Sequence, residues 1–307
     1  MDKSKVCLFS FPFCEDFAVN SSDHHFIDTC VILYGKYCEY VDDKTEINDV
    51  HIVVMIEPLE TKKTYEISVF HSNESIYLNH VEHLTPTEQY QTMEPFRVIE
   101  KMSKHREGKA GQAIIPIHAG GVSLGNHSHI FVGHTGQGKS TLISYLTSHG
   151  LTYMSDDRIY FSALADEKGL GDILVYPYIK PIHLREPGKR ILDAVCVKGE
   201  YPIPDCTYIS FWPIERHVYL PDKFDTTPKT SYSIYFFERG SKNSISEKPI
   251  PTLDAVKCLM EAQMWQPKLT KEYLTLLSRM AAGKCWKLEY KDMEWVLDYL
   301  RNKERMN

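Results

Sequence analysis

Between Ile130 and Thr141 the chain reads IFVGHTGQGKST, and Gly133 to Ser140 fits G-x-x-x-x-G-K-[ST] without a gap. This stretch constrains the fold more than any other, because such a loop works only between a buried strand and the first turn of a helix. Ile130, Phe131 and Val132 read as that strand. Thr141 to His149 reads as the helix, with Leu142, Tyr145 and Leu146 on one face and Gly150 as its stop. An α/β architecture follows, with helices layered on a sheet. The residue types suit phosphate: glycines let main-chain N–H groups face phosphate oxygens, and a helix N-terminus favours negative charge. The expected nucleotide contacts are Gly133, Thr135, Gly136, Gln137, Gly138, Lys139, Ser140 and Thr141. Lys139 would reach the β- and γ-phosphates of ATP, and the Ser140 hydroxyl would ligate Mg²⁺.

An acid pair, Asp156-Asp157, arrives only 16 residues after Ser140. Leu151 to Met154 reads as a strand ending beside it. In a right-handed strand-helix-strand crossover both strand ends lie on one edge of the sheet, so these carboxylates should open next to the phosphates. One can hold Mg²⁺, directly or through water, and the other can take a proton from an attacking hydroxyl. Mutual repulsion would raise the pKa of such a pair, which suits a base. A hydrolytic motor or switch carries its metal-binding acid much further along the chain. The early pair points to phosphoryl transfer, in which positioning and charge neutralisation matter most.

Composition narrows the partners. The 307 residues carry 35 Lys+Arg against 41 Asp+Glu, net −6, which argues against nucleic acid. No apolar run approaches the length of a membrane span. The opening MDKSKVCLFSFPF lacks the pattern of a signal peptide, and the eight cysteines show no metal or C-x-x-C spacing. A reduced, cytoplasmic enzyme is the expectation.

Residues 1–108 read as a β-rich α+β module, for substrate recognition or assembly, with strands expected at 31–34, 51–56, 65–70 and 75–78 and a helix over 87–104. Residues 109–307 read as the nucleotide-binding domain. There a hairpin is expected from 114–117 to 122–124 about Ala119-Gly120-Gly121, followed by a turn at Gly125-Asn126. Strands are expected at 158–161, 172–176 and 233–237, and 286–290 alternates like an edge strand. A turn is expected at 166–169, and helices from Thr252, Lys271 and Asp292. The segment Lys180 to Arg190 holds four Lys/Arg against one Glu. It reads as a basic loop that can receive a phosphate or an acidic substrate.

The run IPIHAGGVSLGNHSHIFVGHTGQGKSTL, continued by HGLTYMSDDRIYF, resembles the catalytic domain of the HPr kinase/phosphorylase family, whose core is similar to PEP carboxykinase. The matching residues are His118, Gly133 to Thr141, and Asp156-Asp157-Arg158. The order YFFERG, DAVKCL, WKLEYKDMEWVLDYL resembles the wider set of HPr-kinase-like proteins, so the resemblance covers roughly residues 110–300. It implies a mixed sheet with helices, preceded by the smaller module. By it Asp157 is the base that deprotonates a serine hydroxyl, Asp156 assists Mg²⁺, and His118 sits near both. Arg158, Lys180, Arg185 and Arg239 are candidates for substrate or phosphate contacts. Glu167-Lys168-Gly169-Leu170-Gly171 departs from the family's Glu-x-Arg-Gly-Leu-Gly segment in position and in lacking the Arg, which turns attention from HPr to another acceptor. The chain more nearly resembles the divergent members that act on peptide natural products, including lasso-peptide precursor kinases. The expectation is an ATP-dependent kinase acting on a serine of a peptide or small protein, with homo-oligomerisation open. The alternatives are a nucleotide-binding regulatory module, a small-molecule kinase and a carboxykinase-like enzyme.

Overall fold

The computed structural model describes residues 5–12, 16–22, 24, 27–28, 31, 34–41, 52–58, 65–71, 80–81, 114–134, 136–163, 171–198, 207–211, 214–263 and 269–305, in places as backbone only. The chain divides into two compact units, residues 1–111 with 211–214 and residues 112–210 with 215–307. The segment around 108, where the sequence places a boundary, lies outside the described residues. So do the expected helix over 87–104, the strand at 75–78 and the turn at 166–169.

The first unit is built on a six-stranded sheet. Its strands are β1 (Lys5–Phe9), β2 (Phe17–Ser21), β3 (Cys38–Val41), β4 (Ile52–Pro58), β5 (Tyr65–His71) and β6 (His80–Val81), in the order β3-β1-β2-β4-β5-β6. Only β2 and β4 run parallel. Phe9, Phe11 and Phe17 are buried as a stack, with Phe9 and Phe17 ring centroids 5.0 Å apart. Val31 and Tyr34 are helical, where a strand was expected. Short apolar runs suit either state. Here the three-residue spacing lets Tyr34 meet Phe9 edge-on.

The remaining strands, all but Phe211 and Ile214 in the second unit, are β7 (Ile114–Leu124), β8 (His127–Val132), β9 (Thr152–Ser155), β10 (Arg158–Ala163), β11 (Ile173–Tyr176), β12 (Ile182–Leu184), β13 (Thr207–Phe211), β14 (Ile214–Tyr219), β15 (Ser231–Arg239), β16 (Ser244–Ile245) and β17 (Cys285–Tyr290). The helices of this unit are α1 (Lys139–Ser148), α2 (Glu186–Lys198), α3 (Thr252–Glu261), α4 (Lys271–Ala281) and α5 (Met293–Arg305). The main sheet is mixed, in the order β11-β10-β7-β8-β15-β17-β16, with β9 also on β7. β12 and β14 belong to a separate three-stranded sheet. One face of the main sheet packs Ile117, Ile130, Ile159 and Ile234 against Leu259 of α3 and Leu277 of α4. The other carries α1, which lies across β7 and touches α5.

Three expectations are corrected. Residues 114–124 form one strand rather than a hairpin about Ala119-Gly120-Gly121, and the turn is at Gly125, with φ 56°. Gly120 serves close approach instead. A Cβ there would stand 2.7 Å from Ile143 Cγ1 and 3.2 Å from Lys139 Cγ, so only glycine lets α1 sit this close to β7. β17 lies inside the sheet between β15 and the two-residue β16, not at its edge. Much of the basic stretch 180–190 is regular, as β12 and the first turns of α2, with Pro187 tolerated in a helix's first turn.

Candidate functional site

β8 and β9 pair antiparallel with opposite edges of β7, so they run parallel to each other with α1 as the crossover. Their C-terminal ends, Val132 and Ser155, therefore reach the same end of the sheet. The glycine-rich loop leaves from one and the acid pair from the other. Gly136 and Gly138 take φ near 90°, a conformation costly for residues with a Cβ, and Gly138 leads directly into α1. Gln137 Oε1 accepts from the His134 N–H at 3.0 Å, and Lys139 Nζ donates to the Gly133 carbonyl at 3.0 Å. Thr135 lies outside the described residues.

Asp156 and Asp157 occupy the break between β9 and β10, where β7 changes partner. His118 is in register with Arg158, and Gly121 with Ser155. The Ala119 N–H donates to the Asp157 carbonyl at 3.1 Å, which pins the break. The Ser155 hydroxyl caps the turn, accepting from the Arg158 N–H at 3.1 Å. This geometry turns both carboxylates toward buried cations.

The two acids differ sharply. Asp157 Oδ2 accepts from Lys180 Nζ at 2.9 Å and lies 3.5 Å from Arg158 Nε, while Oδ1 is 3.4 Å from His118 Nδ1. Burial works to raise its pKa, but Lys180, Arg158 and His118 together hold it far below the usual carboxylate range. Asp156 is only 5% exposed. Burial, the strongest influence, pushes its pKa to about 6 despite Lys180, with Asp157 adding to the rise. Its Oδ2 accepts from the His183 N–H at 3.4 Å, whereas its buried Oδ1 has no hydrogen-bond partner among the described residues. The expected mutual elevation therefore falls on Asp156 alone; Asp157 shifts the other way because cations surround it.

Around the pair, His118 is driven down to about 4 by burial and then by Lys139, so it is neutral near pH 7. Lys139, 7% exposed, is lowered by burial and held up by both aspartates, which places its ammonium within their field. His118, Lys139, Asp156, Asp157, Arg158 and Lys180 thus come together. Arg185 and Arg239 do not join this buried group: both are exposed, Arg185 just before α2 and Arg239 at the end of β15 near Tyr290. Lys189 and Arg190 pair on their own helix, with Asp193 and Glu186. The sequence reading missed three participants. His183 supplies a main-chain donor, Tyr153 donates its hydroxyl to the Lys180 carbonyl at 2.7 Å, and the Tyr290 hydroxyl donates to the Gln137 carbonyl at 3.4 Å. No local motif marks any of them.

For a divalent cation the fit rests on Asp156. A buried carboxylate oxygen without a partner, close to the Ser140 hydroxyl, is the kind of donor that a hard cation takes. Among the described residues no group of three or more His, Cys, Asp or Glu side chains could hold a metal unaided. Mg²⁺ is commonly held by one or two protein oxygens, with phosphates and water completing its shell. Among the described residues no helix is long and apolar enough to cross a membrane.

No family model matches the chain, and no curated protein matches it. Among solved structures the chain is similar to the Hpr(Ser) kinase/phosphatase from Coxiella burnetii, with 11% identity and a TM-score of 0.29 over 62% of this chain and 97% of that one.

Proposed function

We propose that this chain is an ATP-dependent kinase that moves the terminal phosphoryl group of ATP to a serine hydroxyl of a peptide or small protein. The observation that carries the reading is the convergence of Lys139, Asp156, Asp157 and Arg158 at the ends of β8 and β9, beside the glycine-rich loop. Phosphoryl transfer needs such charges held in place more than it needs covalent chemistry. The resemblance to lasso-peptide precursor kinases makes a ribosomal precursor peptide the first acceptor to try.

In this reading the loop amides and Lys139 bind the phosphates. Ser140 and Asp156 would hold Mg²⁺, which when bound neutralises charge on the β- and γ-phosphates. Asp157, the more exposed acid at 23% of its side chain, faces the acceptor; the cations that lower its pKa keep it ionised, and it takes the hydroxyl proton only as the new phosphorus–oxygen bond makes that hydroxyl strongly acidic. The acceptor oxygen bonds to the γ-phosphorus as its bond to the bridging oxygen breaks, and ADP leaves. Arg158 and neutral His118 keep the Asp157 carboxylate oriented.

The test is transfer of label from γ-labelled ATP to serine peptides, with the matching alanine peptide as control. Serine-dependent labelling supports the kinase. Tight ATP binding without transfer to any acceptor would favour a regulatory nucleotide-binding module.

A further inference from the structure

Lys180 enters the acid cluster from a segment remote from the loop, and that segment is firmly held. Pro177 and Pro181 bracket it, each with its own φ restricted. The Tyr178 N–H donates to the Met154 carbonyl at 2.9 Å, and the Tyr153 hydroxyl donates to the Lys180 carbonyl at 2.7 Å. Tyr153, Tyr178 and Ile179 are wholly buried and Lys180 nearly so. One strand, β9, thus carries the hydroxyl that fixes Lys180 and leads directly into the acids that Lys180 faces.

Among the described residues the buried cations Lys139, Arg158 and Lys180 gather about the two carboxylates. A buried ion pair contributes little net stability, because desolvation offsets attraction, so the contact of Lys180 with Asp157 can be exchanged at small cost for one with an arriving anion. Lys139, at the start of α1, and Lys180, from the segment before β12, both act on the acid pair, so two ammonium groups share the site beside the glycine-rich loop.

We propose that Lys180 is a second phosphoryl-binding cation, exchanging its contact with Asp157 for the terminal phosphate of a bound nucleoside triphosphate, and that the Tyr153 hydroxyl is its positioning residue. This rests on the nucleotide reading above and deepens it: the loop grips the chain of phosphates, while Lys180 reads whether the third phosphate is there.

The test is the affinity of the full chain for ATP and for ADP, each with Mg²⁺, by calorimetry. In Lys180→Met, ATP should bind about ten-fold more weakly, the loss of one charge-assisted contact, while ADP affinity holds within about two-fold. Tyr153→Phe keeps the ring and the lysine, and it should reduce the ATP-to-ADP preference by a smaller factor, with melting temperature nearly unchanged. Lys180→Arg should restore part of the preference. Because Lys180→Met can disturb folding, Tyr153→Phe and Lys180→Arg carry the test if it does. An ATP-to-ADP ratio equal to wild type in the folded variants would make Lys180 only a structural partner of Asp157 and overturn the proposal. Wild-type protein that binds neither nucleotide would overturn the nucleotide reading itself.

Discussion

The two ends of β8 bury titratable groups in opposite styles. At its C-terminal end the loop and the acid pair gather Lys139, Arg158 and Lys180 around two carboxylates, on irregular backbone with positive-φ glycines. At its N-terminal end, regular strand and helix enclose another cationic group. His127 bonds the Ser231 and Ser233 hydroxyls through its two ring nitrogens, at 2.7 and 2.8 Å. Lys303 of α5 donates to Ser233 Oγ and to the Tyr235 hydroxyl, both at 3.1 Å, and lies 4.2 Å from the Trp286 ring centre. Hydroxyls and ring faces surround Lys303 and His127, which latch α5 onto the sheet, and an orphaned atom there is a neutral ring nitrogen, His129 Nε2. At the first cluster an orphaned atom is instead a carboxylate oxygen, Asp156 Oδ1, among the buried cations Lys139, Arg158 and Lys180. The contrast separates groups placed for a ligand from groups placed for packing.

Substitutions can break that contrast, and the largest effect should fall on Asp157. Asn keeps its shape but cannot accept a proton at neutral pH, so Asp157→Asn should lower kcat by about 10²–10⁴-fold, with ATP affinity within a few-fold of wild type. Unchanged kcat with weakened metal affinity would make Asp157 a ligand and hand the base role to its neighbour. Asp156→Asn should move the Mg²⁺ concentration for half-maximal activity upward by about ten-fold, as expected when a charged ligand to a cation becomes neutral. A metal response like that of wild type would remove Asp156 from the metal.

At the other end of β8 the expected effects are on stability alone. Lys303→Met should cost about 0.5–2 kcal/mol through the lost cation–π contact, with phosphoryl transfer unchanged; a large kinetic defect would erase the distinction. The smallest effect should be a slope with pH. Burial, then His127 and Lys303, holds His129 well below 6.5. Burial, then Lys303, brings His127 to about 4. A histidine that is neutral when folded but protonated when unfolded favours unfolding in acid. Its contribution is full above about pH 6.5 and is lost as pH falls toward 4. Thermal melts of wild type should decline across that window, and His129→Phe should flatten the decline in part, since His118 shifts in the same direction. An equally steep decline in the variant would show that the distal cluster does not titrate on unfolding.

What could be read in advance follows from the range of each constraint. The loop and the acid pair were legible because strand, turn and helix there are set by neighbours in sequence, and the crossover rule carried them to one edge. Lys180 looked like part of a basic loop, since its burial depends on Tyr153 and Asp157, 27 and 23 residues away. Gly120 and Gly121 looked like a turn because glycine serves tight turns and close contacts alike. Only the approach of Ile143 and Lys139 to Gly120 tells which. β17 alternates as an edge strand does, yet the two-residue β16 covers it. The low pKa of Asp157 was hidden for the same reason as Lys180: its neighbours in space set it, not the carboxylate beside it.

The central claim is that residues 133–141 and the acid pair form one nucleotide site. Calorimetric titration of Mg²⁺-ATP into wild type and Lys139→Ala tests it most directly. Wild type should bind one ATP per chain, and the variant, melting near the wild-type temperature, should bind about 30- to 100-fold more weakly, as the loss of a charged phosphate contact requires. Equal affinity in the two proteins, or no binding by wild type, would contradict the account.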